Sequence, residues 1–163
     1  MISNMMRAGT LLLLPLFATA CQRGSADTTV RLTQDEIAAN AADTVVVYKT
    51  PTCGCCTDWV DHVKEHGFTV ITHDLNDLTA IKQQLGVPAG RISCHTASVR
   101  GYTVEGHVPA DLIGRMLAER PRFRGLAVPG MPMGSPGMDG PFKQDYDVLS
   151  FDDSGKVEVY DRR

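Results

Sequence analysis

Thr44-Val45-Val46-Val47-Tyr48-Lys49-Thr50-Pro51-Thr52-Cys53-Gly54-Cys55-Cys56 is the stretch whose reading sets the fold. Val45 to Tyr48 is a short apolar run of strand-forming residues, the pattern of a buried strand. Pro51 to Gly54 reads as a turn, and Cys55 to His66 as a helix. Trp59, Val60 and Val63 give that helix an apolar stripe, Asp58 and Asp61 fall near its start, and Gly67 stops it. A buried strand thus feeds a helix through a turn that carries thiols.

Moving outward, Phe68 to Asp74 reads as a second strand, and Asn76 or Asp77 can cap a helix over Leu78 to Leu85, closed by Gly86. Ile92 to Val99 and Tyr102 to Val108 read as two strands joined in a hairpin at Arg100-Gly101. Pro109 opens a helix over Ala110 to Glu119 with Leu112, Ile113, Met116 and Leu117 on its apolar side. A Gly/Pro/Met loop from Gly125 to Pro141 follows, and Asp147 to Phe151 with Lys156 to Tyr160 form a closing hairpin. The order β-α-β-α-β-β-α plus a C-terminal hairpin predicts an α/β, thioredoxin-like fold with a mixed sheet over residues 44–163. No internal repeat is visible.

Towards the N-terminus, one positive charge at Arg7 precedes an apolar run from Thr10 to Ala20, too short to span a bilayer and shaped like a secretory signal. Residues 1–20 therefore read as a signal peptide. Ala18-Thr19-Ala20-Cys21 resembles a bacterial lipobox, with Cys21 lipidated, and residues 22–43 read as a polar linker. The expected location is the periplasm, with lipid anchoring as the only membrane contact. Hydrophobic residues at 43% and charged residues at 21% exclude a disordered chain. The net charge of −3 becomes −4 once Arg7 leaves with the signal, and no Lys/Arg cluster appears, which argues against nucleic acid.

Cys53, Cys55 and Cys56 crowd three thiols into four positions at a helix N-terminus, where orphan N–H groups and the helix dipole favour thiolate. Three chemistries use such a place: soft-metal binding, disulfide exchange by Cys53 and Cys56, and plain disulfides such as Cys53–Cys56 with Cys55–Cys94. Cys94-His95 lies where thioredoxins carry a cis-proline, and no proline stands there, which counts against disulfide exchange with protein substrates. Cys53–Cys56 closes almost no loop, which counts against a mere staple. Thiolates select Cu(I), zinc or iron–sulfur clusters, and crowded thiols suit bridging sulfurs in a multinuclear Cu(I) cluster better than one tetrahedral zinc. Met131, Met133 and Met138, in a Gly/Pro loop, add thioethers as a ligand or lid, with packing as the alternative. His62 and His66 share a helix face that reads as solvated, and His95 and His107 are candidates for touching or orienting a metal. Trp59 reads as core.

Thr50-Pro51-Thr52-Cys53-Gly54-Cys55-Cys56, Ser93-Cys94-His95-Thr96-Ala97, Gly101 to Ala110 and Gly125 to Pro132 together resemble the CopG-type periplasmic copper-resistance family, once filed as a domain of unknown function. The resemblance runs in order from about Val45 to Tyr160. It implies a thioredoxin-like fold and copper bound by the cysteine-rich loop. It also implies work beside other envelope copper-handling proteins, with sequestration, transfer or Cu(I)/Cu(II) cycling as roles. Carried over by position, Cys53, Cys55, Cys56 and Cys94 are the thiolate ligands, and His107, Met131, Met133 and Met138 complete or cover the site. A thiol–disulfide oxidoreductase of the cell envelope is the rival function, and enzymatic activity is left open.

Overall fold

The computed structural model describes residues 43–163; the expected signal, Cys21 and all but the last residue of the linker lie outside them. Seven strands form one mixed sheet: β1 (Thr44–Lys49), β2 (Thr69–Asp74), β3 (Thr96–Val99), β4 (Tyr102–Glu105), β5 (Gly125–Ala127), β6 (Asp147–Phe151) and β7 (Val157–Arg162). Among the described residues three helices accompany them: α1 (Gly54–Glu65), α2 (Thr79–Gln84) and α3 (Ala110–Glu119). The spatial order is β2-β1-β3-β4-β5-β6-β7. The β1–β2 and β4–β5 pairs are parallel and the other four antiparallel. An α/β chain with a mixed sheet is what the element order predicted. Among the described residues no helix is long and apolar enough to cross a membrane.

β1 is buried along its whole length, so its apolar run does not alternate. Val45 and Val47 face a large core built with Trp59, Val63, Ile113 and Met116, against α1 and α3. Val46 and Tyr48 face a smaller core with Leu78, Ile81 and Leu85 around α2. β2 lies at the sheet edge with Ile71 exposed, and it alternates only weakly. Just ahead of α2, whose N-cap residue is Leu78, the Thr79 N–H donates to Asp77 Oδ1 at 2.8 Å, so Asp77 turns the chain into the helix without being its N-cap.

The larger differences from the sequence reading lie at two strand ends and in one loop. β3 starts at Thr96 rather than Ile92, and β4 ends at Glu105 rather than Val108, where Gly106 takes a positive φ of 71° that ends the extended backbone. Within the expected loop, Gly125–Ala127 is a fully buried strand, parallel to β4 and linked to it through α3. That strand needs glycine at its first position. A Cβ on Gly125 would lie 2.0 Å from the Thr103 carbonyl oxygen and 3.0 Å from the Phe151 ring.

Gly125→Ala should therefore destabilise the protein by about 2–3 kcal/mol through backbone displacement. Gly114→Ala, in α3 with open space around the added methyl, should instead stabilise by about 0.5–1 kcal/mol. Urea denaturation of the two variants beside the parent checks the pair, and equal midpoints would refute the packing assigned to β5.

Candidate metal centre

Two registers bring the cysteines together. In the β3–β4 hairpin Val99 pairs with Tyr102 and Thr96 with Glu105, and the Gly106 N–H donates to the His95 carbonyl at 3.0 Å. Just past the end of that ladder Cys94 comes to lie beside His107. β1 pairs antiparallel with β3, Tyr48 beside Thr96, so the end of β1 that leads to Cys53 lies at the same end of the sheet. Cys53 is the N-cap residue of α1, and its carbonyl accepts from the Thr57 N–H at 3.3 Å.

Cys53 and Cys56 form a disulfide, while Cys55 and Cys94 are free and half-buried. Cys55 Sγ lies 3.6 Å from Cys53 Sγ and 4.0 Å from Cys94 Sγ, so the four sulfurs make one cluster. Of the two disulfides in the plain-disulfide reading, Cys53–Cys56 is formed and Cys55–Cys94 is not. A second group adjoins the first: Cys94 Sγ stands 3.0 Å from His107 Nε2 and 3.3 Å from His95 Nδ1. Cys94 belongs to both. Disulfide sulfurs are not thiolates, so all four sulfurs could serve a metal only after reduction of Cys53–Cys56.

The imidazoles are held in defined states. His107 Nδ1 donates to the Pro136 carbonyl at 2.8 Å, which leaves the Nε2 lone pair facing Cys94. His95 is wholly buried against the Trp59 ring, 4.4 Å between centroids, and Trp59 Nε1–H donates to the Val108 carbonyl at 2.9 Å. Trp59 is therefore core, as read, and also the wall behind His95. Burial first, then His107 and the Lys82 ammonium, holds His95 well below the usual imidazole range. Burial also lowers His107, partly offset by the Pro136 carbonyl. Burial, then Cys55, pushes the Cys94 thiol up to about 12. Every shift favours the neutral form, so the metal-free centre is a thiol donating to an imidazole.

The methionine loop reaches the centre through its backbone. Pro136 supplies the carbonyl to His107, and a Cβ on Gly137 would lie 2.6 Å from both Cys55 O and Trp59 N, so the loop is pressed onto the start of α1. Met131 is 52% exposed. Met133 packs over Gly140, and Met138 closes the loop by accepting from the Gly134 N–H at 2.8 Å. His66 is exposed, as the solvated-face reading has it, but His62 is not free: its Nε2 accepts from the Ala110 N–H at 3.2 Å and caps α3 from a neighbouring helix. Burial, then His66, lowers the His62 pKa. Lys82 and Glu105, which the sequence reading passed over, form a buried ion pair with Nζ 2.6 Å from Oε1.

His62, His95 and His107 all lie below their ordinary value, so the unfolded chain takes their protons more readily. Their stabilisation is complete above the unfolded value of about 6.5 and is lost as pH falls through the folded values. Glu105, raised mainly by burial, acts in the opposite direction at lower pH. The urea midpoint of the metal-free protein should thus fall between pH 7.5 and 5.5; a flat midpoint would contradict the neutral assignments.

The profile of a family described as a protein of unknown function, DUF411, matches residues 91–138, which span Cys94, His107 and the methionine loop. No curated protein sequence matches. Two solved structures of the copper resistance protein CopG, Form 2 and Form 1, are each similar at 44% identity and a TM-score of 0.70, covering 74% of this chain. The matches take in 97% and 96% of those chains respectively.

Proposed function

Because this chain belongs to the family of the copper resistance protein CopG, we propose that it binds Cu(I) in copper resistance, through Cys53, Cys55, Cys56 and Cys94 as thiolates. The observation that carries this reading is the meeting of four sulfurs and two imidazoles, all nearest-neighbour donor separations being 4.0 Å or less. Three cysteines within four residues depart from the C-x2-C knuckle with a distant second pair that is usual for zinc, and suit sulfurs that bridge the ions of a small multinuclear Cu(I) cluster. His107 Nε2 completes the set, oriented by Pro136. Met131, Met133 and Met138, on the loop pinned at Pro136 and Gly137, supply thioethers to complete or cover it.

Loading follows reduction of the Cys53–Cys56 disulfide by an external dithiol, which is itself oxidised to a disulfide, and releases the thiol protons, that of Cys94 included, since only thiolates ligate. The protein then sequesters copper, passes it to other copper-handling proteins, or cycles it between Cu(I) and Cu(II). The signal-shaped N-terminus and Cys21 support work in the periplasm from a lipid anchor. A disulfide at a helix N-terminus, 3.6 Å from a third thiol, also favours a second reading, thiol–disulfide exchange with Cys53 as nucleophile.

Anaerobic titration of the reduced protein against a chromophoric Cu(I) chelator separates the two. Two or more tightly held coppers per chain are expected, and Cys53→Ser with Cys56→Ser should abolish tight binding. Unchanged stoichiometry in the double variant would sink the cluster. Weak binding by the parent, together with Cys53-dependent reduction of a model disulfide, would establish the exchange reading instead.

A further inference from the structure

Lys82 and Glu105 have no part in the ligand set, yet they place a full charge pair in the interior. Glu105 is wholly buried and Lys82 is 8% exposed. Such a pair gains little stability, because desolvating both charges offsets much of their attraction, and apolar residues of similar volume often serve a fold as well. Its geometry gives it another task. Oε1 of Glu105, 2.6 Å from Lys82 Nζ, also accepts the Ser93 N–H at 2.6 Å. Ser93 directly precedes Cys94, and Glu105 stands two residues before His107 on the partner strand.

One carboxylate oxygen therefore ties the segment that carries the sulfur to the segment that carries the imidazole. The Lys82 ammonium, reaching over from α2, fixes where that oxygen stands. The junction has no slack. A Cβ on Gly106 would lie 2.5 Å from Ser93 Cβ and 2.6 Å from the Val128 carbonyl, and the Val128 N–H donates to the Glu105 carbonyl at 2.9 Å. Ser93 Oγ also donates to the Gly130 carbonyl, joining the base of the methionine loop to the same knot.

We propose that Lys82 and Glu105 are positioning residues for the metal centre, holding Cys94 Sγ beside His107 Nε2, 3.0 Å away. They act through the Ser93 amide and touch no metal themselves. The inference rests on the metal-binding reading. It predicts that the pair governs affinity and ligand geometry out of proportion to its effect on folding.

Lys82→Met combined with Glu105→Met removes both charges together and deletes the acceptor for Ser93, leaving no lone buried charge. Glu105→Gln keeps size and shape, and serves as the variant that tests the idea if the double one does not fold. Three readouts apply: thermal midpoint, Cu(I) affinity by chelator competition, and the Co(II) charge-transfer and ligand-field bands. In the metal-free protein the nitrogen-15 shift of His107 Nε2 reports its contact with Cys94 independently of copper. The folded double variant should bind Cu(I) about 10–100-fold more weakly, as loss of a ligand-orienting partner does, with shifted Co(II) bands and a displaced Nε2 resonance. Glu105→Gln should show the same changes at smaller amplitude.

Parental affinity, bands and Nε2 shift in the folded double variant would overturn the proposal, as would parental values in Glu105→Gln if the double variant is unfolded. Failure of the parent itself to bind Cu(I) would remove the copper reading instead, and the Nε2 shift would then decide the positioning role.

Discussion

A two-residue turn sets the register on which the centre depends. Arg100 and Gly101 both have positive φ, 46° and 81°, the backbone of a turn whose twist matches that of a hairpin. With Val99 locked to Tyr102, the ladder has one register, and Cys94 faces His107 at its far end. The pairing of β1 with β3 adds the second constraint, since it sends the Cys53 turn out at that same end. The two arms of the centre, 39 residues apart at Cys55 and Cys94, meet through backbone ladders rather than through any attraction of their own. Slipping either ladder by one residue would turn the ligands to the opposite face.

Burial then dictates the chemistry of what has been brought together. Low polarisability around Cys94, His95 and His107 disfavours thiolate and imidazolium alike, which leaves a neutral hydrogen-bonded pair. A soft cation reverses that balance, because it supplies the positive charge that makes a buried thiolate tolerable. Selectivity for a cation over bare deprotonation is thus a property of the surroundings as much as of the ligands. Lys82 and Glu105 sit at the margin of this region as a pair of zero net charge.

The order of elements was legible because each carried its own local signal: the apolar run of β1, the stripe on α1, Pro109 ahead of α3, and the Arg100-Gly101 turn. β5 was not legible. Three residues, Gly125, Leu126 and Ala127, are too few to show a period, and they open a stretch of Gly, Pro and Met that reads as loop. The ends of β3 and β4 were overextended because Ile92 and Val108 are strand formers by type, while the positive φ of Gly106 ends the extended backbone between Glu105 and Val108. The thiols of the centre were legible from composition and spacing. The roles of Pro136, Glu105 and Lys82 were not, since a carbonyl carries no sequence mark and a Lys or Glu is ordinarily read as surface. His62 was misread for a related reason: its partner, the Ala110 amide, is 48 residues away.

The methionine loop has a mechanical consequence. It holds little regular structure and is fastened to the body of the protein at a few points, two of which, the Pro136 carbonyl and Gly137, bear directly on the centre. An ion joining Cys55 to Cys94 would cross-link two distant parts of the chain and restrict its unfolded states in the manner of a disulfide. With His107 immobilised by the same ion, its grip on Pro136 would tighten the loop as well. Cargo and clasp would then be one object, and the emptied chain would be the form most open to proteolysis.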